Sequence, residues 1–233
     1  MTDDEPIPDA WPPEPAGPAH SSEESSTAAL VQQVPMFPLP GIFLHPRQVM
    51  PLNIFEPRYK RMIEDSLDGP GRLVIGTILE GSTDRIYDTA NPPAVLPVAG
   101  IGEIARHERT SDGRFHIWLV GLARVAIEEL HSDTPYRRVR ATPLLEIEPE
   151  ADAAARLRSP LERAILSRNG RLLNLPDDMP TSMLVDLLSP HIQAPQAELE
   201  RIYSEPDLVL RARLALRAHA AFPPAPDDSS SDE

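Results

Sequence analysis

The sequence predicts an α+β protein: a small β-barrel or sandwich first, an α-helical extension after it. Two observations carry this prediction. Up to about Glu148, β-branched and apolar runs are punctuated by Gly and Pro. Beyond it, the apolar residues recur at helical spacing. A third observation bounds the folded part. Residues 1–33 hold seven acids and no Lys or Arg, and residues 223–233 hold four acids and no Lys or Arg. The formal charge of −14 therefore sits mostly in two tails, leaving 25 acids against 22 bases in between. Both tails are rich in Pro, Ser and acids, bury too little to offset ordering entropy, and are expected to be disordered.

The first ordered stretch, Val34 to Tyr59, carries six prolines yet is among the most apolar parts of the chain. Val34–Leu39 and Val49–Ile54 read as two short strands, with prolines at ends and edges where the lost N–H is not missed. Pro38-Leu39-Pro40-Gly41 and His45-Pro46-Arg47 shape the turn between them. A helix follows. Pro57 suits a first helical position, and Tyr59, Met62, Ile63 and Leu67 form one stripe before Asp68-Gly69-Pro70-Gly71 stops it. The segments 73–79, 94–108, 114–130 and 136–147 read as further strands, with Ser111-Asp112-Gly113 as a hairpin turn.

After Glu148 the helical signals take over. Ser159-Pro160-Leu161-Glu162 reads as a capping box that starts a helix, closed by Asn169-Gly170. Met183–Leu188 and Gln196–Tyr203 are short amphipathic pieces set off by prolines. Ser204-Glu205-Pro206-Asp207 opens a last helix, with Leu210, Leu214, Ala218 and Ala221 along one stripe and Arg211, Arg213 and Arg217 beside it. The organisation expected is a strand-rich unit over 34–148, a helical unit over 149–222, and the two tails.

Several function classes lose their support at this level. The chain has no cysteine, which excludes thiolate chemistry and disulfides and suits a reducing compartment. The start MTDDEPIPDAW lacks the basic and apolar regions of a signal peptide, and no run of roughly 18 apolar residues occurs; a soluble, cytoplasmic protein is expected. The seven histidines show no zinc spacing, although His107 and His116 could face each other across the hairpin. Gly100-Ile101-Gly102-Glu103-Ile104-Ala105 fits a dinucleotide pattern, but a strand rather than a helix follows, so no cofactor is expected. No nucleophile elbow occurs, and no Ser, His and acid group recognisably.

Three blocks, VPMFPLPGIFLHPRQVMPLNI, FEPRYKRMIEDSL and VAGIGEIARHERTSDGRFHIWLVGLARVAI, make the chain resemble the amino-terminal substrate-binding domain of the ATP-dependent Lon proteases, over about residues 34–220. FEPRY is more like the short, stand-alone bacterial members than the full protease. The resemblance implies a PUA-like small β-barrel followed by an α-helical bundle, serving to recognise substrates. The protease's ATP-binding lysine and its Ser–Lys pair have no counterpart, since Lys60 is the only lysine and no glycine loop precedes it.

The function this implies is a non-catalytic protein- or peptide-binding module, without cofactor or metal, engaged in protein quality control. Its partners would be unfolded or extended polypeptides, with an ATP-dependent protease as a collaborator. The candidate surface is an apolar patch drawn from Phe43, Leu44, Pro46, Phe55 and Tyr59, with Ile42, Phe43 and Leu44 held up as a ridge by Pro/Gly flanks. The competing reading places these residues in the core. Arg58 joins the patch because Arg58, Lys60 and Arg61 crowd a helix start, where the macrodipole disfavours cations by ~0.3–1 kcal/mol each; the misfit marks either an anion or carboxylate contact or simple solvation. Arg58 has its own alternative, packing against the barrel. The alternative function is an RNA-binding PUA-like module using Arg137, Arg138 and Arg140; a nearly neutral folded part and few aromatics argue against nucleic acid.

Overall fold

A computed structural model of the chain describes residues 32–85, 91–168 and 175–224. Both predicted disordered tails, apart from residues 32–33 and 223–224, lie outside the described residues, as does the Asn169-Gly170 helix stop.

The architecture is mixed α+β. Six strands, β1 (Gln32–Pro40), β2 (Val49–Ile54), β3 (Arg72–Ile78), β4 (Val98–Arg109), β5 (Phe115–Leu130) and β6 (Arg137–Pro143), form one sheet in the order β2-β5-β4-β3-β1-β6. A further β5–β6 pairing, from Val125↔Pro143 to Leu130↔Arg138, brings the order back to β5. β1 and β3 run parallel and the other pairs antiparallel. The 16-residue β5 makes this possible: its first half pairs with β2 and its second half with β6.

The two apolar strands of the proline-rich stretch are real but do not pair with each other. β1 lies between β3 and β6, whereas β2 hangs on β5 as an edge. The Gly121 amide donates to the Gln48 carbonyl at 2.9 Å. Ladder bonds therefore fall on positions 48, 50, 52 and 54, and the nitrogen of Pro51, opposite Trp118, points away from β5. A proline on the free edge costs no bond and blunts pairing with another chain.

Helix α1 (Pro57–Leu67) follows β2, with Pro57 in its first turn and Tyr59, Met62, Ile63 and Ser66 buried. The Phe37 and Tyr59 rings meet at 4.4 Å, fixing α1 to β1. Four helices follow the sheet: α2 (Ala151–Arg168), α3 (Thr181–Leu188), α4 (Gln196–Ser204) and α5 (Leu208–Ala221), with a 3-10 turn at Ser189–His191. They share a core of Leu157, Leu161, Ile165, Leu184, Leu188, Ile202, Leu208 and Ala212, separate from the two clusters inside the sheet.

Two helical expectations need correction. Helix α2 starts at Ala151, not at Ser159, and Pro160 lies inside it. The run Ala153-Ala154-Ala155 is strong helix former and carries the helix upstream, with the Ala153 and Ala154 amides donating to the Glu150 carbonyl. In α5 the buried face is Leu208, Arg211, Ala212, Ala215 and Ala218, while Leu210 is exposed. The hairpin register differs too. Arg109 pairs with Phe115, so His116 faces Glu108 and His107 faces Ile117, and the two histidines are not opposite each other. A register shift between Ile104 and Arg106 accompanies this offset.

Candidate functional site

The loop 41–48 between β1 and β2 is seated on the sheet, and three glycines make the seat. A side chain at Gly100 would run into the Leu44 carbonyl oxygen, one at Gly121 into the His45 carbonyl oxygen, and a Cβ at Gly102 would lie 2.9 Å from Leu44 Cδ2. The glycines that mimic a dinucleotide pattern are thus spent on close backbone approach within the protein. The loop is then tied down polar group by polar group. Thr77 Oγ1 donates to the Ile42 carbonyl at 2.6 Å, the His45 amide donates to Gln48 Oε1 at 2.9 Å, and the Arg47 amide donates to the Gly121 carbonyl at 2.7 Å. Arg47 takes a left-handed backbone, φ 64°, to close this turn.

The helices clasp the same loop from outside. The Tyr203 hydroxyl donates to the Leu44 carbonyl at 2.6 Å, Phe43 packs on the Tyr203 ring at 5.1 Å, and His45 meets that ring edge-on at 5.1 Å. Burial pushes the Tyr203 phenol well above its ordinary range. Burial also holds His45 down at about 3, with the Arg124 guanidinium adding to it, so the imidazole is neutral. Its Nδ1 is buried and has no hydrogen-bond partner among the described residues.

Behind Tyr203 lies a buried ionic set. Arg124 of β5 donates to the Tyr203 carbonyl at 2.5 Å, to the Glu205 carbonyl at 3.0 Å, and to Glu146 at 2.7 Å. Arg211 of α5 reaches Glu146 at 2.5 Å and Asp186 of α3 at 3.5 Å. Both arginine side chains are 2% exposed, so this network holds β5, the segment after β6, α3, α4 and α5 in register. Burial, with the Glu146 carboxylate beside it, pushes Asp186 up to about 7.

Between the loop and the helices the packing leaves a cleft of ≈ 210 Å³. Ile42, Phe43 and Met50 form one wall, and Pro190, Ile192, Leu199 and Ile202 form the other. His45, Gln48 and Ser189 supply the polar groups. Ser189 Oγ donates to the Val185 carbonyl at 2.7 Å, which leaves its lone pairs free to accept. The cleft is thus lined mainly by apolar side chains, with a few polar groups at one side.

The structure divides the sequence-predicted patch. Phe43 lines the cleft and Pro46 is half-buried in the same loop. Leu44, 1% exposed, is a core residue plugged between the glycines, and Tyr59, 6% exposed, is held under Phe37. Neither side chain reaches the surface, so the ridge is Ile42 and Phe43 alone. Phe55 is 61% exposed at the far end of β2, some six residues or ~20 Å from the loop. Arg58 pairs with Glu56 at 2.9 Å and lies over the Tyr59 ring at 4.6 Å. Arg61–Asp65 forms at 2.9 Å, while Glu64 meets Arg109. The second wall escaped the sequence reading. Its signals, Pro190 and Pro195 bracketing Ile192, were there, but nothing local says that they face residue 42.

The chain is thus a mixed α+β protein in which a helical bundle clasps a loop of a six-stranded sheet. The model of the ATP-dependent protease La (LON) substrate-binding domain matches residues 33–218, and the chain belongs to that family. Lon protease 2 of Sorangium cellulosum is 29% identical over 199 residues, 78% of this chain and 24% of that protein. Lon protease of Heliobacterium modesticaldum is 22% identical over 83% of this chain, again 24% of the relative. The chain thus spans about a quarter of these relatives. In fold it is similar to the N-terminal domain of Mycobacterium avium complex Lon protease (TM-score 0.59, 18% identity, 81% of this chain and 98% of that one). It is likewise similar to a Lon N-terminal domain protein from Xanthomonas campestris (TM-score 0.57, 19% identity, 80% and 98%). Among the described residues, no helix is long and apolar enough to cross a membrane.

Proposed function

We propose that the chain is a non-catalytic polypeptide-binding module and that the cleft beside Ile42 and Phe43 takes apolar side chains of unfolded or extended clients. The observation that carries this reading is the cleft itself: two apolar walls from distant parts of the chain, held apart by a built clasp. Burial of one or two client side chains there gives weak, sequence-tolerant affinity, since the gain is non-directional. Phe55, exposed and apolar, is a second contact for a chain running along the β2 edge, with Arg58 beside it. We read 34–148 as a PUA-like barrel, closed by the β5–β6 pairing, and 149–222 as its helical subdomain. We read the chain's role as cytoplasmic quality control, alongside an ATP-dependent protease that acts on delivered clients; membership of the substrate-binding family supports this reading.

The RNA reading finds less support. Arg137 pairs with Glu129 at 2.6 Å and Arg140 with Glu128 at 2.6 Å, so the basic cluster is largely neutralised in place.

Binding of a fluorescein-labelled Gly/Ser peptide carrying a central Leu-Phe-Leu tests the reading. Ile42→Glu puts a charge on the exposed wall and is expected to weaken binding at least tenfold without changing the unfolding midpoint. Unchanged affinity in that variant would remove the cleft from the function.

A further inference from the structure

The described chain begins at Gln32, but the 31 residues before it carry one feature their composition does not explain. Trp11 is the sole aromatic in residues 1–33, set in Ile7-Pro8-Asp9-Ala10-Trp11-Pro12-Pro13. The other tail, Pro223–Glu233, has no aromatic or large aliphatic residue.

We infer that Trp11 and its neighbours dock in the cleft beside Ile42, so that the protein's own N-terminal segment competes with clients. The inference rests on the cleft being the client site. Three observations support it. The cleft has the size for one large side chain, and its apolar walls suit an indole face. The indole N–H needs an acceptor, and Ser189 Oγ, whose proton goes to Val185, provides one at the wall.

The third observation is reach. β1 runs from Gln32 straight to the cleft loop, nine residues or ~30 Å away. Twenty residues separate Trp11 from Gln32. A random-coil chain of twenty residues spans about 25 Å r.m.s., close to the distance required. Matched spans give effective concentrations of order millimolar. A contact with a dissociation constant of ~0.1 mM in trans would then be about nine-tenths filled in cis, lowering client affinity about tenfold. The exposed Arg47 on the loop beside the cleft complements Asp9 and Glu14, which flank Trp11.

The test uses the full chain. In Trp118→Phe, Trp11 is the sole tryptophan, excited selectively at the red edge of its absorption; its emission is expected to be blue-shifted and shielded from acrylamide, and Ile42→Glu is expected to return it to solvent-like values. 5-Fluorotryptophan NMR of the chain with Trp118 in place, assigned with Trp11→Phe, reports the same contact independently. Trp11→Ser is expected to tighten binding of the labelled Leu-Phe-Leu peptide about tenfold. Solvent-like Trp11 with intact peptide binding overturns the inference and leaves the client site standing. Shielded Trp11 with peptide binding indifferent to Ile42→Glu supports the docking and overturns the client site. Trp11→Ser leaving peptide affinity unchanged overturns the competition.

Discussion

The hydroxyl of Tyr203 donates to the carbonyl oxygen of Leu44 at 2.6 Å, across 159 positions of sequence, and this bond joins the helical part of the protein to the loop that walls the cleft. Both groups are buried, so neither has water as a substitute partner.

Tyr203→Phe keeps the ring against Phe43 and His45 but leaves the Leu44 carbonyl unpaired. A loss of about 1–3 kcal/mol is expected, read as a lower denaturant midpoint with an unchanged slope. Peptide affinity should fall as well, because the loop that carries Ile42 and Phe43 loses its outer tie. A variant as stable as the parent would mean the clasp contributes nothing.

Glycine at 121 is required for space, and glycine at 81 for backbone conformation only. Gly121→Ala drives a methyl group into the His45 carbonyl oxygen, and should cost about 3 kcal/mol or prevent folding. Gly81, φ +86°, has nothing among the described residues within 4 Å of its added Cβ, so Gly81→Ala should cost only ~1–2 kcal/mol of backbone strain. Thermal unfolding of the two variants checks the ranking; equal losses would contradict the seat described for the loop.

Asp186 and His45 give opposing pH dependences. Asp186 ionises near 3.8 when unfolded but only at about 7 when folded, so its contribution to stability falls as pH rises between those values. His45 titrates near 6.5 unfolded and at about 3 folded, so the stability it contributes is lost as pH falls through that window. The two slopes offset between roughly pH 4 and 6.5 in the parent. Asp186→Asn removes one of them. Its stability should match the parent near pH 4 and exceed it by up to a few kcal/mol near pH 7. A variant that is less stable at pH 8 than the parent, yet equal at pH 4, would show that Arg211 holds Asp186 ionised in the fold.

Much of the scaffold was legible in the sequence because local rules decide it. The bounds of β2 and the start of α1 follow from alternation, Pro57 and the Tyr59–Met62–Ile63 stripe. The family was legible for the same reason, since its blocks lie in continuous sequence. The site was legible only in part. Phe43 and Leu44 are neighbours with the same hydrophobicity, yet one lines the cleft and the other plugs the sheet. What separates them is Gly100 and Gly121, more than 50 residues away, and no periodicity records that contact. The buried position of Arg211 was illegible for a related reason. Its place beside the apolar stripe says nothing of its burial, which depends on Glu146 and Asp186 arriving from two other segments. The upstream extension of α2 through Pro160 shows context prevailing over a capping signal.

The most direct test of the client cleft is where a bound peptide touches the protein. A Gly/Ser peptide carrying Leu-Phe-Leu, with a photoreactive benzophenone in place of the phenyl ring, is irradiated with the full chain and the adducts are located by mass spectrometry. Adducts on Ile42, Met50, Leu199 and Ile202, suppressed by excess unlabelled peptide, are the predicted result. Adducts confined to other surfaces, or none above a glycine-only control, would contradict the assignment.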